Sequence, residues 1–233
     1  MKFLKDLIEN FGTKYSEILG IKLESGEEEE IFKWFLACLL FGAPIRESTA
    51  IKTYRQFEKR GILTPESIVR TGWHGIVAVL DDGGYTRYDF KTADKLLEVM
   101  RNLLEHYGGK LTRIHSSASD PQNLEDKLKN LGKGVGSTTV NIFLRELRGI
   151  WEKARPSPAG LVVLAARNLG ILRDRASEGI LQQLEEFWLN NALPGKSFVN
   201  FESALLRLGK NFCRKRKCPK CPFVKDCVHP TMV

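Results

Sequence analysis

The sequence predicts an all-α fold, and three observations carry that expectation. Apolar residues recur at three- and four-residue steps in one segment after another, the period of a helix with one buried face. Helix-ending clusters such as Gly42-Ala43-Pro44, Gly108-Gly109 and Pro156-Ser157-Pro158 separate the segments. No segment alternates apolar and polar residues like a half-buried strand. A chain of 233 residues is long enough for one large domain or two small ones.

Residues 27 to 42 read as a nearly buried helix carrying Ile31, Phe32, Phe35, Leu36, Leu39 and Leu40. The acidic run Glu27 to Glu30 suits its first turn, where negative charge meets the positive end of the helix dipole. Cys38 inside this helix reads as a core residue. A second helix follows through Ile51, Tyr54 and Phe57 to Gly61, and Thr64-Pro65-Glu66 starts short helices over 65 to 80 with a cap and a proline at the first position. Asp81 to Tyr85 is a turn, and a long helix from Ala93 to Leu104 stops at Gly108-Gly109. Residues 112 to 121 read as a connector. Leu124, Leu128 and Leu131 mark a helix, Gly132-Lys133-Gly134-Val135-Gly136 breaks it, and Thr139 to Leu147 forms the next. Ser157 is placed to cap a helix over 161 to 169, and helices near 177 to 191 and 197 to 211 complete the series.

The helix, glycine-rich hairpin and helix around residue 134 have two readings. Glycines let backbone N–H groups approach a ligand, and the second helix starts there with its positive end, so a phosphate fits. Alternatively, the glycines only permit a tight turn. A Walker or Rossmann reading fails, because no strand precedes the hairpin and no Gly-Lys-Ser/Thr occurs.

The chain ends on a denser signal. Cys213, Cys218, Cys221 and Cys227 fall within fifteen residues, and Cys38 is the only other cysteine. The charged start, Met1-Lys2-Phe3-Leu4-Lys5-Asp6, has no long apolar run, so a secretory signal is not expected and a reducing cytoplasm is. Thiolates there are free to bind metal. Structural zinc favours two separated Cys-x-x-Cys knuckles, whereas this chain has one, Cys218 and Cys221, flanked by single cysteines. A compact loop holding [4Fe–4S] fits better, with Zn2+ as the alternative. Between the first two cysteines lie Arg214, Lys215, Arg216 and Lys217; with a net charge of +8 and a pI near 9.3, they favour a polyanionic partner. No apolar run approaches the roughly eighteen residues of a membrane span.

A Gly-Val-Gly hairpin followed by a basic four-cysteine loop resembles the endonuclease III and adenine glycosylase branch of the helix-hairpin-helix DNA glycosylase superfamily. The similarity covers most of the chain: Leu39-Leu40-Phe41-Gly42, the segment from Leu103 to Gly109, the hairpin from Leu131 to Thr139 with Asn141, and Cys218-Pro219-x-Cys221-Pro222. It implies two helical lobes, a six-helix domain over 27 to 149 holding the hairpin and a discontinuous domain of 1 to 26 with 150 to 233 holding the cluster loop, 213 to 227. It also implies a monomer that binds damaged double-stranded DNA in the cytoplasm or nucleoid and removes a flipped base as a base-excision-repair N-glycosylase. DNA-contacting residues would be Gly132, Lys133, Gly134, Val135, Gly136, Ser137, Thr138, the basic residues 214 to 217, and Tyr85 as a stacking or wedging side chain.

Departures from the family bear on chemistry. The gap over 214 to 217 is shorter than usual, and the hairpin is one residue longer through Gly132-Lys133. Members that also cleave the backbone carry a lysine where this chain has Thr138, so no imine forms by that route and any glycosylase would be monofunctional. The family's aspartate position falls on Pro156, and the nearest acid is Glu152, the one candidate for a displaced catalytic carboxylate. The alternative is a DNA- or lesion-binding protein that has lost catalysis.

Overall fold

In the computed structural model, which describes residues 2–172 and 179–228, the periodic segments form twelve α-helices, and no strand occurs among the described residues. They are α1 (Lys2–Phe11), α2 (Tyr15–Ile18), α3 (Glu28–Phe41), α4 (Glu47–Lys59), α5 (Pro65–Asp82) and α6 (Asp89–Tyr107). There follow α7 (Leu111–Ser117), α8 (Pro121–Lys129), α9 (Ser137–Glu146), α10 (Gly160–Asn168), α11 (Ile180–Leu189) and α12 (Phe198–Leu208). The chain divides into two units, one of residues 19–156 and one joining 1–18 to 157–233. The expected boundaries at 26/27 and 149/150 therefore move to 18/19 and 156/157, and the continuous unit has seven helices, α3 to α9, rather than six. Residues 177 and 178, where the helix before α12 is expected to begin, lie outside the described residues, as do 1, 173–176 and 229–233.

The continuous unit is built around α3. From Ile31 to Leu40 every side chain except Lys33 is buried, with Cys38 among them, because α4, α7 and α9 pack around this helix. Each fully buried leucine or phenylalanine contributes about 1.5–3 kcal/mol. Phe35 meets Phe143 of α9 edge-on at 5.0 Å, and Trp34 donates its indole N–H to the Phe143 carbonyl at 3.1 Å. Gly42 ends α3 in a right-handed conformation, so its turn does not require glycine. Close approach does, since a Cβ there would collide with Thr139 Oγ1 in the first turn of α9.

α5 starts as expected, on a Thr64–Ser67 capping box with Pro65 at the first turn, and breaks at Gly72, whose φ of 69° and ψ of 174° only glycine adopts readily. α6 ends at Gly108 in the left-handed conformation, φ 59°, with Gly108 donating to Leu104 O and Gly109 to Leu103 O, both at 3.0 Å.

Two expectations are corrected. Part of the connector at 112 to 121 is helix α7, held by a contact across the sequence: the Glu28 carboxylate accepts from the N–H groups of Leu111 and Thr112 at 2.6 and 3.0 Å. Ser157 does not cap α10; Ala159 occupies that position and supplies no side-chain bond.

In the discontinuous unit, α1 packs on α12, and Leu4, Leu7 and Ile8 enter a core with Ala165, Phe201 and Leu205. The carbonyls beyond α1 are taken by α12: Asn200 donates to Gly12 O at 2.9 Å, and Arg207 donates to Phe11 O at 2.6 Å and to Thr13 O. Gly209 follows α12 with ordinary helical angles, yet a Cβ would strike the Leu161 carbonyl of α10. That contact fixes where the wide turn Gly209–Cys213 delivers the first of the four cysteines.

Candidate functional site

The hairpin joins α8 to α9, and α6 holds it from beneath through one helical face. Asn102 donates to Leu131 O at 2.9 Å, and the Glu98 carboxylate accepts from Lys133 N at 3.1 Å. Gly132 lies so near Val99 that a Cβ would stand 2.8 Å from its methyl. Lys95 runs under Gly134 and donates its amine to Leu39 O at the end of α3, 2.7 Å away. Burial pushes the Lys95 amine down to about 8, because a protonated amine loses water there and gains one carbonyl. Val135 plugs the core and donates to Gly132 O at 3.1 Å. Two of the three glycines therefore serve packing and turn geometry: Gly132 by contact with α6, Gly134 by its φ of +91°.

Gly136 differs. Its φ of −91° and ψ of 174° suit any residue, and nothing lies within 4 Å of where its Cβ would be. Lys133, Gly134, Gly136, Ser137 and Thr138 are exposed, whereas Leu131, Val135, Thr139 and Val140 are buried. The N–H groups of Gly136, Ser137 and Thr138 sit at the start of a ten-residue helix, where intrahelical acceptors do not exist. Gly136 at the N-cap has no side chain to cap them, and the three residues are exposed, so this edge presents backbone donors outward with the positive end of α9 behind them.

Tyr85 is elsewhere. It is 1 % exposed, donates its hydroxyl to Leu40 O at 2.8 Å, and is pushed up to about 12, chiefly by burial. It is a core tyrosine that caps α3, so it is unavailable to stack on or wedge between bases.

The positions where the resemblance places catalysis hold no carboxylate. Thr138 is exposed on the first turn of α9. Pro156 is buried, and its carbonyl accepts from the Arg148 guanidinium. Glu152 is exposed and lies in the turn after α9, not on a helix, because α9 ends at Glu146. Its negative charge favours the protonated form of His115, which burial and Lys153 together push below the usual histidine range. His115 stacks on Trp151 at 4.8 Å.

In the discontinuous unit, Cys213, Cys218, Cys221 and Cys227 are all half-buried, and Phe223, 4 % exposed, lies among them. Phe11 contacts both Phe212 and Phe223 at 6.0 Å, giving the segment an aromatic backing. Burial raises the Cys213 thiol, a hydrogen bond from Asn168 opposes that, and the three other thiols raise it further. Burial likewise raises Cys221, against a bond from the Phe223 N–H. The four thiols are thus electrostatic neighbours with N–H donors aimed at two of them, which fits soft-metal ligation in donor chemistry. Among the described residues, no three Cys, His, Asp or Glu side chains converge as a ready single-ion site. Arg214, Lys215, Arg216 and Lys217 are exposed on a tight turn: Arg214 N bonds Gly209 O at 2.9 Å, Lys215 and Lys217 N bond Phe212 O at 3.1 Å, and Arg216 N bonds Cys213 O at 3.1 Å. Arg216 has a φ of 50°.

Sequence reasoning missed Lys95, Glu98 and Asn102, though their three- and four-residue spacing places them on one face of α6. It also missed Asn168, for which no local signal exists. No helix among the described residues is long and apolar enough to cross a membrane. No family model and no curated protein matches the chain.

Proposed function

We propose that this chain binds duplex DNA through its hairpin, as a helix-hairpin-helix protein resembling the DNA N-glycosylases of base-excision repair. The observation that carries the reading is the exposed edge at Gly136, Ser137 and Thr138, where a helix start brings backbone donors together and open space surrounds the Gly136 Cβ position. A phosphate is the ligand that such an edge suits, since it accepts several N–H groups at once and is favoured by the helix dipole. The four exposed cations at 214 to 217 add sequence-independent affinity for a polyanion. The cysteine segment would hold a [4Fe–4S] cluster, or Zn2+ in its place, through Cys213, Cys218, Cys221 and Cys227. Its contribution in either case is to fix the fold of the basic turn. The protein acts as a monomer in the cytoplasm, associated with the nucleoid if the cell is a prokaryote.

In the enzymatic reading the chain flips a damaged or mismatched base and hydrolyses its glycosidic bond, with Glu152 as the acid. The second reading, DNA or lesion binding without catalysis, is favoured by Thr138, Pro156 and Arg148. Where an oxocarbenium-like transition state needs negative charge, this chain supplies a carbonyl already bonded to a guanidinium. Purified protein incubated with duplexes bearing uracil, 8-oxoguanine, mismatched adenine, alkylated bases or an abasic site separates the two. Base release supports the enzyme; salt-dependent binding without release supports the binding protein. Absence of binding at low salt defeats both.

A further inference from the structure

Asn168, the last residue of α10, combines a side-chain hydrogen bond to a cysteine sulfur with a backbone bond to the far end of the cysteine segment. Its side-chain amide donates to the Cys213 sulfur. Its carbonyl, one of the four that a helix end leaves without intrahelical partners, accepts from Val228 N at 2.7 Å. Val228 directly follows Cys227, so one residue holds the first cysteine by its side chain and the residue after the last cysteine by its backbone. The turn beyond α10 reinforces this contact. Gly170, at φ +67°, lies where a Cβ would stand 3.1 Å from a Val228 methyl. Asn168 is half-buried, so its amide is shielded from competing water without being part of the core.

We propose that Asn168 is a positioning residue for a metal held by Cys213, Cys218, Cys221 and Cys227, closing both ends of the cysteine segment against the last turn of α10. This rests on the reading of those cysteines as metal ligands. An N–H group aimed at a metal-bound sulfur stabilises the thiolate and orients it, and loss of such an outer partner typically costs about 10- to 100-fold in metal affinity. The carbonyl bond adds closure, because it ties the residue after the last ligand to the end of α10.

The test uses the full chain purified without oxygen, with iron, acid-labile sulfide and zinc counted per chain. Native protein, Asn168→Ala, Asn168→Asp and Val228→Pro are then challenged with excess EDTA, and release is followed by absorbance and metal content. Asn168→Ala should release metal about tenfold faster or more. Asn168→Asp should be worse than alanine, because an isosteric carboxylate removes the donor and sets a negative charge beside the sulfur. A residue that merely packed would rank these two the other way, aspartate being the closer in shape. Val228→Pro removes only the backbone donor. Val228 is 56 % exposed and Cys227 already has the extended angles, φ −83° and ψ 127°, that a residue before proline adopts, so this variant should fold and still release metal faster. Metal present at about one site per chain but released at the native rate by all three variants would overturn the clasp and leave the metal reading standing. A chain that binds neither iron nor zinc would overturn both.

Discussion

Gly136→Val separates folding from recognition at the hairpin. Of the hairpin glycines, only Gly136 has both an ordinary extended backbone, φ −91° and ψ 174°, and empty space where a side chain would begin. Valine is at ease in extended conformations but is a poorer N-cap than glycine, so stability should fall by no more than about 1 kcal/mol. Its branched side chain would, however, stand over the N–H groups of Gly136 and Ser137. If a DNA phosphate sits there, at least two hydrogen bonds to a charged acceptor are lost, each worth about 1.5–3 kcal/mol. That amounts to roughly 100-fold in affinity or more. One phosphate fewer would also flatten the slope of log K against log salt by about 0.9. Anisotropy of a labelled duplex at several salt concentrations reads both quantities, and thermal unfolding in the same buffers reads the control. Unchanged affinity and slope in a variant of native Tm would remove the hairpin from the interface. A Tm lowered by more than about 5 °C, beyond what a poorer N-cap costs, would show that the space at Gly136 is not open. Gly134→Val is the weaker experiment, because at φ +91° it strains the backbone and presses on Lys95 as well.

Neutralising Arg214, Lys215, Arg216 and Lys217 together should flatten the same salt slope by up to about three or four units; an unchanged slope takes the turn out of the interface. The amine of Lys95 titrates at about 8 in the folded chain and near 10.5 when exposed, so its stability penalty is complete below pH 8 and is relieved as pH rises toward 10.5, where the unfolded chain binds more protons. Native protein should therefore gain about 1–2 kcal/mol relative to Lys95→Met between pH 7.5 and 9.5; the full displacement is worth about 3 kcal/mol at ~1.4 kcal/mol per pH unit, and partial exposure screens it. Urea unfolding at both pH values measures it, and a native-minus-variant difference that stays constant refutes it. Borohydride should trap no covalent adduct with abasic DNA, because Thr138 supplies no amine; an adduct abolished by Lys133→Ala would show that the site is wrongly aligned. If base release occurs, Glu152→Gln should slow it about 10²- to 10⁴-fold with DNA binding intact, and an undiminished rate would place the acid elsewhere.

The helices were largely legible because burial imposes period, and α3, α6 and α9 announce themselves through that period alone. What was not legible depended on partners far along the chain. Seven residues of α7 bury only Leu111 and Ile114, too few to signal a helix, and its start is secured by Glu28 from 83 residues earlier. Tyr85 illustrates the converse error. Its place after a glycine turn suited a stacking or wedging side chain, but an aromatic next to a turn is equally suited to capping a neighbouring helix, and Leu40 O was out of sight in the sequence. At the candidate site, composition exposed the cysteines and the cations, since both are dense and local. The support beneath the hairpin was hidden, because Glu98 and Asn102 look like surface residues of α6 until the hairpin lies on them.

On the DNA-binding proposal, that support leaves the hairpin's shape independent of the positions where the resemblance would place catalysis. The hairpin's shape is set by Gly132 against Val99, by the left-handed angles of Gly134, by Val135 in the core and by bonds from Glu98 and Asn102. Neither Thr138 nor Pro156 takes part. Thr138 projects outward from the first turn of α9, and Pro156 is held through its carbonyl by Arg148, an interaction that any residue could make with its backbone. Neither position sets the hairpin's shape, and both bear on local charge: Thr138 carries no amine, Pro156 carries no carboxylate, and a guanidinium stands beside the second. If DNA binds as proposed, the Arg148 guanidinium beside Pro156 would disfavour a developing positive charge on a sugar there. The proposed binding edge at residues 136 to 138 and the candidate acid Glu152 are different residues, at opposite ends of α9, which is why the salt slope and the rate of base release must be measured separately.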